Sequence, residues 1–248
     1  MMKKPLLAAN WKMHLTLKEA LELAQAIASV AQKYSERNVI IFAPYVYLYP
    51  LHEVLKNSQV QLGAQNLFYE NQGAYTGEVA GFMLREVGCS WVLVAHSERR
   101  QYFHESNQTA NLKIKRALQD GLMVMYCVGE TLEQREENLT EKVVLSQLEE
   151  GLRGLSSSDF QSLAIAYEPV WAIGTGKNAT PQDAQKVHEA IRHRLAELSQ
   201  GQKDTPILYG GSVKPENIKE LMAMPDVDGV LVGGASLKID TFGPIVGF

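Results

Sequence analysis

The sequence predicts an α/β protein of one domain, a closed (β/α)8 barrel over residues 1–248. Three observations carry this: eight short apolar runs that end in small or polar residues, segments of helical spacing between them, and no linker. None of the runs alternates strictly between apolar and polar, so each is read as a strand covered on both faces, which points to parallel pairing. Their centres lie roughly 20–45 residues apart, enough for one crossover helix each.

The first strand, Leu6–Asn10, runs into Asn10-Trp11-Lys12 with no glycine, which argues against a doubly wound open sheet and its glycine fingerprint. A helix follows, with Leu17, Ala20, Leu21, Ala24, Ile27, Ala28 and Ala31 recurring at steps of three and four. The second strand, Val39–Ala43, leads to a weaker helix at Tyr47–Asn57, and the third is Val60–Gln65. The fourth strand, Trp91–His96, opens into a short helical turn at Ser97–Arg100. The helix Asn107–Asp120 comes next, with Leu112, Ala117 and Leu118 on one side and Gly121 placed to end it. The fifth strand is Met123–Gly129, followed by a helix at Thr140–Leu152. The sixth, Leu163–Glu168, precedes a helix marked by Ala184, Val187, Ile191, Leu195 and Leu198. The seventh, Ile207–Gly210, a weak helix at Glu216–Met224, and the eighth strand, Gly229–Gly233, complete the series. Dividing 248 residues by eight gives 31 per unit, the size of a βα repeat.

Composition narrows the function. With 46% apolar and 21% charged residues and a net charge of −4, the chain reads as a globular protein in water. No Lys/Arg block is present to displace counterions from phosphates, so no nucleic acid partner is expected. Cys89 and Cys127 both lie in apolar runs, which indicates a reducing, cytoplasmic location and no disulfide framework. The start MMKKPLLAANWKMH is read as neither a secretory signal nor a membrane span, so no membrane partner is expected. No His-x-x-x-His pair or Cys/His cluster occurs, so no metal is expected. His188 and His193 are placed on the polar part of a helix, and His14, His52 and His104 show no partner pattern.

In a barrel, chemistry gathers where strands run into the following loops. There the chain offers Asn10, Lys12, His96, Glu168 and the pairs Gly210-Gly211 and Gly233-Gly234. Glu168 closes an apolar run, so desolvation is expected to raise its pKa towards that of a general base; pairing with a lysine or arginine is the alternative. His96 faces the start of a short helix, which favours a neutral, hydrogen-bonding imidazole over a cation; a core histidine bonded to a backbone carbonyl is the alternative, and the commoner one for a lone histidine. Gly210-Gly211-Ser212 and the turn Gly233–Leu237 suit a phosphate. The stretch Ala172–Lys177 fails the P-loop pattern, since Trp171 takes the first glycine position and Asn178 the Ser/Thr position; it reads instead as a lid over a small ligand.

Seven motifs in order, AANWKM (8–13), GAQN (63–66), AYTGE (74–78), HSERR (96–100), YEPVWAIGTGK (167–177), YGGSVKP (209–215) and VGGASL (232–237), resemble the triosephosphate isomerase family along nearly the whole chain. The resemblance implies interconversion of dihydroxyacetone phosphate and glyceraldehyde 3-phosphate in glycolysis and gluconeogenesis, with no cofactor. It makes Glu168 the base and His96 the electrophile. Lys12 and Asn10 polarise the substrate, and Gly174, Ser212, Gly233 and Gly234 hold its phosphate. It also makes Glu98 a partner that positions Lys12, and Tyr209 and Ser212 the residues that hold a lid hinged at 169–171 and 177–179. The long loop Gln65–Glu78 resembles an arm that enters a second subunit, with Thr76 bracing Asn10 and Lys12 there, so a homodimer is implied. Two residues depart from the family pattern, Ala95 and His104, each standing where glycine is common; the added methyl at 95 is expected to shift His96 or to demand a relaxed neighbour. An aldolase-like barrel would need a lysine inside the barrel or strand-end metal ligands. A catalytically dead barrel would not need Lys12, His96 and Glu168 together.

Overall fold

The computed structural model describes residues 5–172, 179–201 and 204–248. Eight parallel strands form a closed barrel in chain order, β1 (Leu6–Asn10), β2 (Asn38–Ala43), β3 (Gln61–Ala64), β4 (Trp91–Val94), β5 (Met123–Val128), β6 (Leu163–Tyr167), β7 (Ile207–Tyr209) and β8 (Gly229–Val232). Closure comes from β1 pairing with β8, Leu6 opposite Gly229. The helices are α1 (Leu17–Ala31), α2 (Leu48–Leu55), α3 (Gly81–Glu86), α4 (Ser97–Phe103), α5 (Asn107–Gln119), α6 (Leu132–Glu136), α7 (Thr140–Gly151), α8 (Pro181–Leu198), α9 (Ile218–Met222) and α10 (Ile239–Val246).

The strands lack polar alternation because both of their faces are buried. Inward residues, among them Ala8, Ile40, Phe42, Trp91, Leu93, Met125, Ala164, Ala166 and Leu231, fill the barrel. Their outward neighbours Leu7, Ala9, Val39, Ile41, Val92, Val94 and Ile165 pack with the helical stripes into a second core. Local chemistry starts and stops the helices. Thr16 and Glu19 form a capping box on α1, and Thr180 and Asp183 form one on α8 with Pro181 in its first turn. Gly121, at φ 75°, ends the α5 segment in the left-handed region.

Several expectations are corrected. Strands β3 to β8 stop short of the residues assigned to their ends, although the ladder donors continue: Glu168 N–H still reaches Val128 O at 2.8 Å and Gly210 N–H reaches Tyr167 O at 2.7 Å. The short helices α3, α6 and α10 were not anticipated, since runs of 6, 5 and 8 residues show too few turns for a 3.6-residue period to stand out. On α5 the buried residues are Ala110, Lys113, Ile114 and Ala117, while Leu112 is exposed. His188 lies on the buried stripe of α8, four residues after Ala184, and is fully buried. The predicted helices at 47–57 and 216–224 shrink to α2 and α9.

Candidate active site

The strand ends and their loops enclose a cavity of about 290 Å3 lined by Asn10, Lys12, His96, Glu168, Gly210, Gly211, Ser212, Gly233 and Gly234, among others. These side chains come from β1, β4, β6, β7 and β8, so barrel closure alone brings together residues up to about 220 positions apart.

Each is held in place by local structure. Lys12 sits at φ 51°, a left-handed conformation that costs an L-residue about 1 kcal/mol or more. Gln65 secures it by donating from Nε2 to Lys12 O at 2.9 Å and to Phe42 O at 3.1 Å, while Lys12 N–H reaches Asn10 Oδ1 at 3.1 Å. The Lys12 ammonium forms an ion pair with Glu98. His96 is the N-cap of α4: its Nδ1 accepts the Glu98 N–H at 3.2 Å. With Nδ1 acting as an acceptor, the ring proton of the neutral tautomer sits on Nε2, which lies 2.9 Å from Glu168 Oε1.

Glu168 is buried, and its other oxygen accepts the Ser97 N–H at 2.8 Å. Burial alone would raise its pKa, but His96, the Ser97 amide and Lys12 together outweigh it, so the carboxyl lies below the ordinary glutamate value. The expectation of a raised pKa is therefore corrected for this arrangement. Burial likewise works against a charged His96 ring, yet the Glu168 and Glu98 carboxylates hold its pKa above the ordinary value.

Tyr209 is buried, with the Ala179 backbone approaching its hydroxyl, and burial pushes its pKa up to about 12. Gly174 and most of the predicted lid, residues 173–178, lie outside the described residues. Thr76 is exposed on the arm, where residues 70–78 all face outward and Phe68 stacks on Tyr69 and approaches Tyr75, with ring centroids 4.3 and 4.6 Å apart. Ala95, buried, sits at φ 58° and His104 at φ 52°, so both departures from the glycine pattern occupy left-handed positions, and the Ala95 methyl does not keep His96 from Glu168.

The sequence reading missed four supporting residues: Gln65, Arg100, Glu105 and Glu130. Glu130 is fully buried and accepts from Tyr167 Oη at 3.1 Å and Trp171 Nε1 at 2.9 Å, tying Trp171 to the end of β6. Its position immediately beyond the fifth strand was a usable signal, since that rim carries the chemistry. Among the described residues no group of His, Cys, Asp and Glu is arranged to hold a metal ion, and no helix is long and apolar enough to cross a membrane.

The family model described as triosephosphate isomerase matches residues 5–248. The chain belongs to the triosephosphate isomerase family. It is thereby an aldose–ketose isomerase. It is 49% identical over 249 residues to a triosephosphate isomerase of Caldanaerobacter subterraneus subsp. tengcongensis, each covered in full, and 51% identical over 249 residues to one of Herpetosiphon aurantiacus, again with full coverage. A crystal structure of triosephosphate isomerase from Bartonella henselae superposes with a TM-score of 0.89 at 37% identity, covering 98% of this chain and 97% of that one.

Proposed function

We propose that the chain interconverts dihydroxyacetone phosphate and glyceraldehyde 3-phosphate by proton transfer through an enediolate, with Glu168 as base and His96 as electrophile. The observation that carries this reading is the buried Glu168–His96 pair, 2.9 Å apart, in one cavity with Lys12 and the glycine loops.

The chemistry follows from the contacts. To reach a substrate carbon, the Glu168 carboxylate leaves the Ser97 amide and the His96 ring, and so sheds the contacts that lower its pKa while staying buried. It becomes a stronger base as it arrives. It takes a proton from C1 of the ketose while His96 Nε2–H supports the developing negative charge on the C2 oxygen. Without Glu168 beside it, the buried ring, bonded through Nδ1 to an amide, stays neutral and passes its proton between the two enediolate oxygens. Glu168 then returns its proton to C2, giving the aldose. The Lys12 ammonium and Asn10 stabilise the charge, and backbone amides at Ser212, Gly233, Gly234 and Gly174 receive the phosphate. Closure of the lid excludes water, which would otherwise let an enediol phosphate eliminate its phosphate.

A homodimer belongs to the same proposal. Met13, Tyr45, Val46, Tyr49, Tyr102 and Phe103 are exposed apolar residues, several of them around a cavity of about 480 Å3 that reaches Asn10, Lys12 and Glu98. The arm of a second copy, carrying Thr76, is the occupant that suits this opening. A cytoplasmic location belongs to the same proposal, and the two free buried cysteines support it.

The test is a coupled assay with glyceraldehyde 3-phosphate in excess chelator, run on the native chain and on Glu168→Ala. The proposal expects chelator-resistant turnover that Glu168→Ala loses by at least about 1,000-fold with phosphate binding and melting temperature retained. Near-native turnover in the variant overturns the role of Glu168, and loss with chelator alone points to a metal enzyme.

A further inference from the structure

Ala95 is the single residue between the end of β4 and the N-cap His96, and it is fully buried at φ 58°. An alanine keeps a left-handed backbone only where its surroundings impose it. Here both of its peptide groups are gripped by charged side chains. Glu105 Oε1 accepts the Ala95 N–H at 3.1 Å, and Arg100 Nε donates to the Ala95 carbonyl at 3.1 Å.

Both side chains are anchored in turn. Glu105 Oε2 receives Arg99 Nε at 2.7 Å and Lys113 Nζ at 2.9 Å, and Lys113 extends to Asn66 Oδ1 at 2.7 Å. Glu105 and Lys113 are 6% and 4% exposed, so the pair is removed from solvent screening. Arg100 reaches Asn107 Oδ1 at 2.7 Å, Tyr126 Oη at 3.2 Å and Cys127 O at 3.3 Å, tying the same turn to β5 and α5. None of these side chains lines the cavity that holds Glu168 and Lys12.

We infer that Glu105 and Arg100 are positioning residues that hold Ala95 in its left-handed conformation and thereby aim the His96 ring at the substrate. The inference rests on the reading of His96 given above. Relaxing φ at 95 rotates the next residue, and His96 then loses either the Glu98 amide at Nδ1 or its line to the cavity at Nε2. The chemistry explains why position 105 is a glutamate. Every partner of its carboxyl is a donor, an amide on one oxygen and two cations on the other, so both oxygens must accept. A glutamine of the same shape turns its oxygen to the cations and its amino group to the Ala95 N–H, and the grip is lost.

The experiment compares Glu105→Gln, Arg100→Lys and each combined with Ala95→Gly, with His96→Ala alongside. Glycine adopts positive φ without being held, so it replaces the grip. Each single variant is expected to lower kcat by about 10- to 100-fold, with KM for glyceraldehyde 3-phosphate changing less than about threefold, and Ala95→Gly is expected to recover at least about fivefold of kcat in each. Melting temperature, by contrast, stays at the single-variant value, since the other contacts that Glu105 or Arg100 made are not rebuilt. Native kcat in both single variants, or losses that glycine at 95 leaves untouched, overturns the inference. If Glu105→Gln does not accumulate folded, Arg100→Lys with its glycine partner decides the matter by the same criteria. If His96→Ala keeps native turnover, it is the reading of His96 that fails; if that variant is inactive and the others are native, the grip alone fails.

Discussion

Gly129→Ala places a methyl against the backbone that carries the proposed base. A Cβ at residue 129 would lie 1.8 Å from Glu168 O and 2.7 Å from its carbonyl carbon, where real Cβ contacts begin at 3.0 Å. The Glu168 peptide must therefore move by about 1.2 Å, and it is backbone, with no rotamer to absorb the overlap. The ladder bond from Glu168 N–H to Val128 O, 2.8 Å in the native chain, runs directly beside the clash. A displacement of about 1 Å at a reacting group costs on the order of 100-fold in rate, so kcat is expected to fall by that factor while phosphate affinity, assigned by the proposal to other loops, changes little. Gly210→Ala provides an internal scale. Its Cβ would meet Glu168 Cγ at 2.9 Å and Tyr167 O at 3.1 Å, a far smaller overlap than at 129, so its loss is expected to be roughly tenfold smaller. The assay is steady-state isomerase kinetics with competitive inhibition by inorganic phosphate, on protein shown to be folded by thermal melting. Native kcat in folded Gly129→Ala would refute the claim that the placement of Glu168 sets the rate.

Thr76→Arg on the arm is expected to give monomers by analytical ultracentrifugation with activity reduced at least about tenfold, since a long cation meets Lys12 across the proposed interface; a fully active monomer would show that no second subunit is needed. His188 predicts an acid limb in stability. Burial, the largest influence, outweighs the Asp226 carbonyl and the nearby Asp228 and holds its pKa at about 4 against 6.5. Between those values the unfolded chain binds a proton that the folded chain refuses, so stability falls as pH drops from about 6.5 to 4, by about 3 kcal/mol in total, and this contribution levels off below that. Urea titrations across that range should show the slope in the native chain and its loss in His188→Gln; an unchanged slope would assign the limb to other groups.

The barrel was legible because eight doubly buried strands leave eight apolar runs, and because the residues at their ends are chemically distinct from what precedes them. Two buried polar residues show where pattern reading stops. Lys113 and His188 both fall on helical stripes by spacing, three after Ala110 and four after Ala184, yet their side-chain type argues for solvent. Only the tertiary partners, Glu105 and Asn66 for one and the Asp226 carbonyl for the other, make burial tolerable. The rim residues Asn10, Lys12, His96 and Glu168 could be placed from strand ends alone. The direction of the Glu168 pKa could not, because it depends first on the His96 ring and then on the amide of Ser97, 71 positions away in the chain. Gln65, Arg100 and Glu105 escaped for a related reason: each acts on backbone atoms of another residue, and nothing in composition or periodicity records that.

The proton path is the central claim, and one measurement addresses it directly. Dihydroxyacetone phosphate is converted by the native chain in deuterium oxide and the glyceraldehyde 3-phosphate is trapped as it forms for mass spectrometry. Transfer through Glu168 and an enediolate predicts deuterium at C2 of the product, because a carboxyl proton exchanges with solvent before it is returned. Product formed at the native rate with only protium at that carbon would mean that no solvent-exchanging carboxyl carried the hydrogen, and would contradict the account.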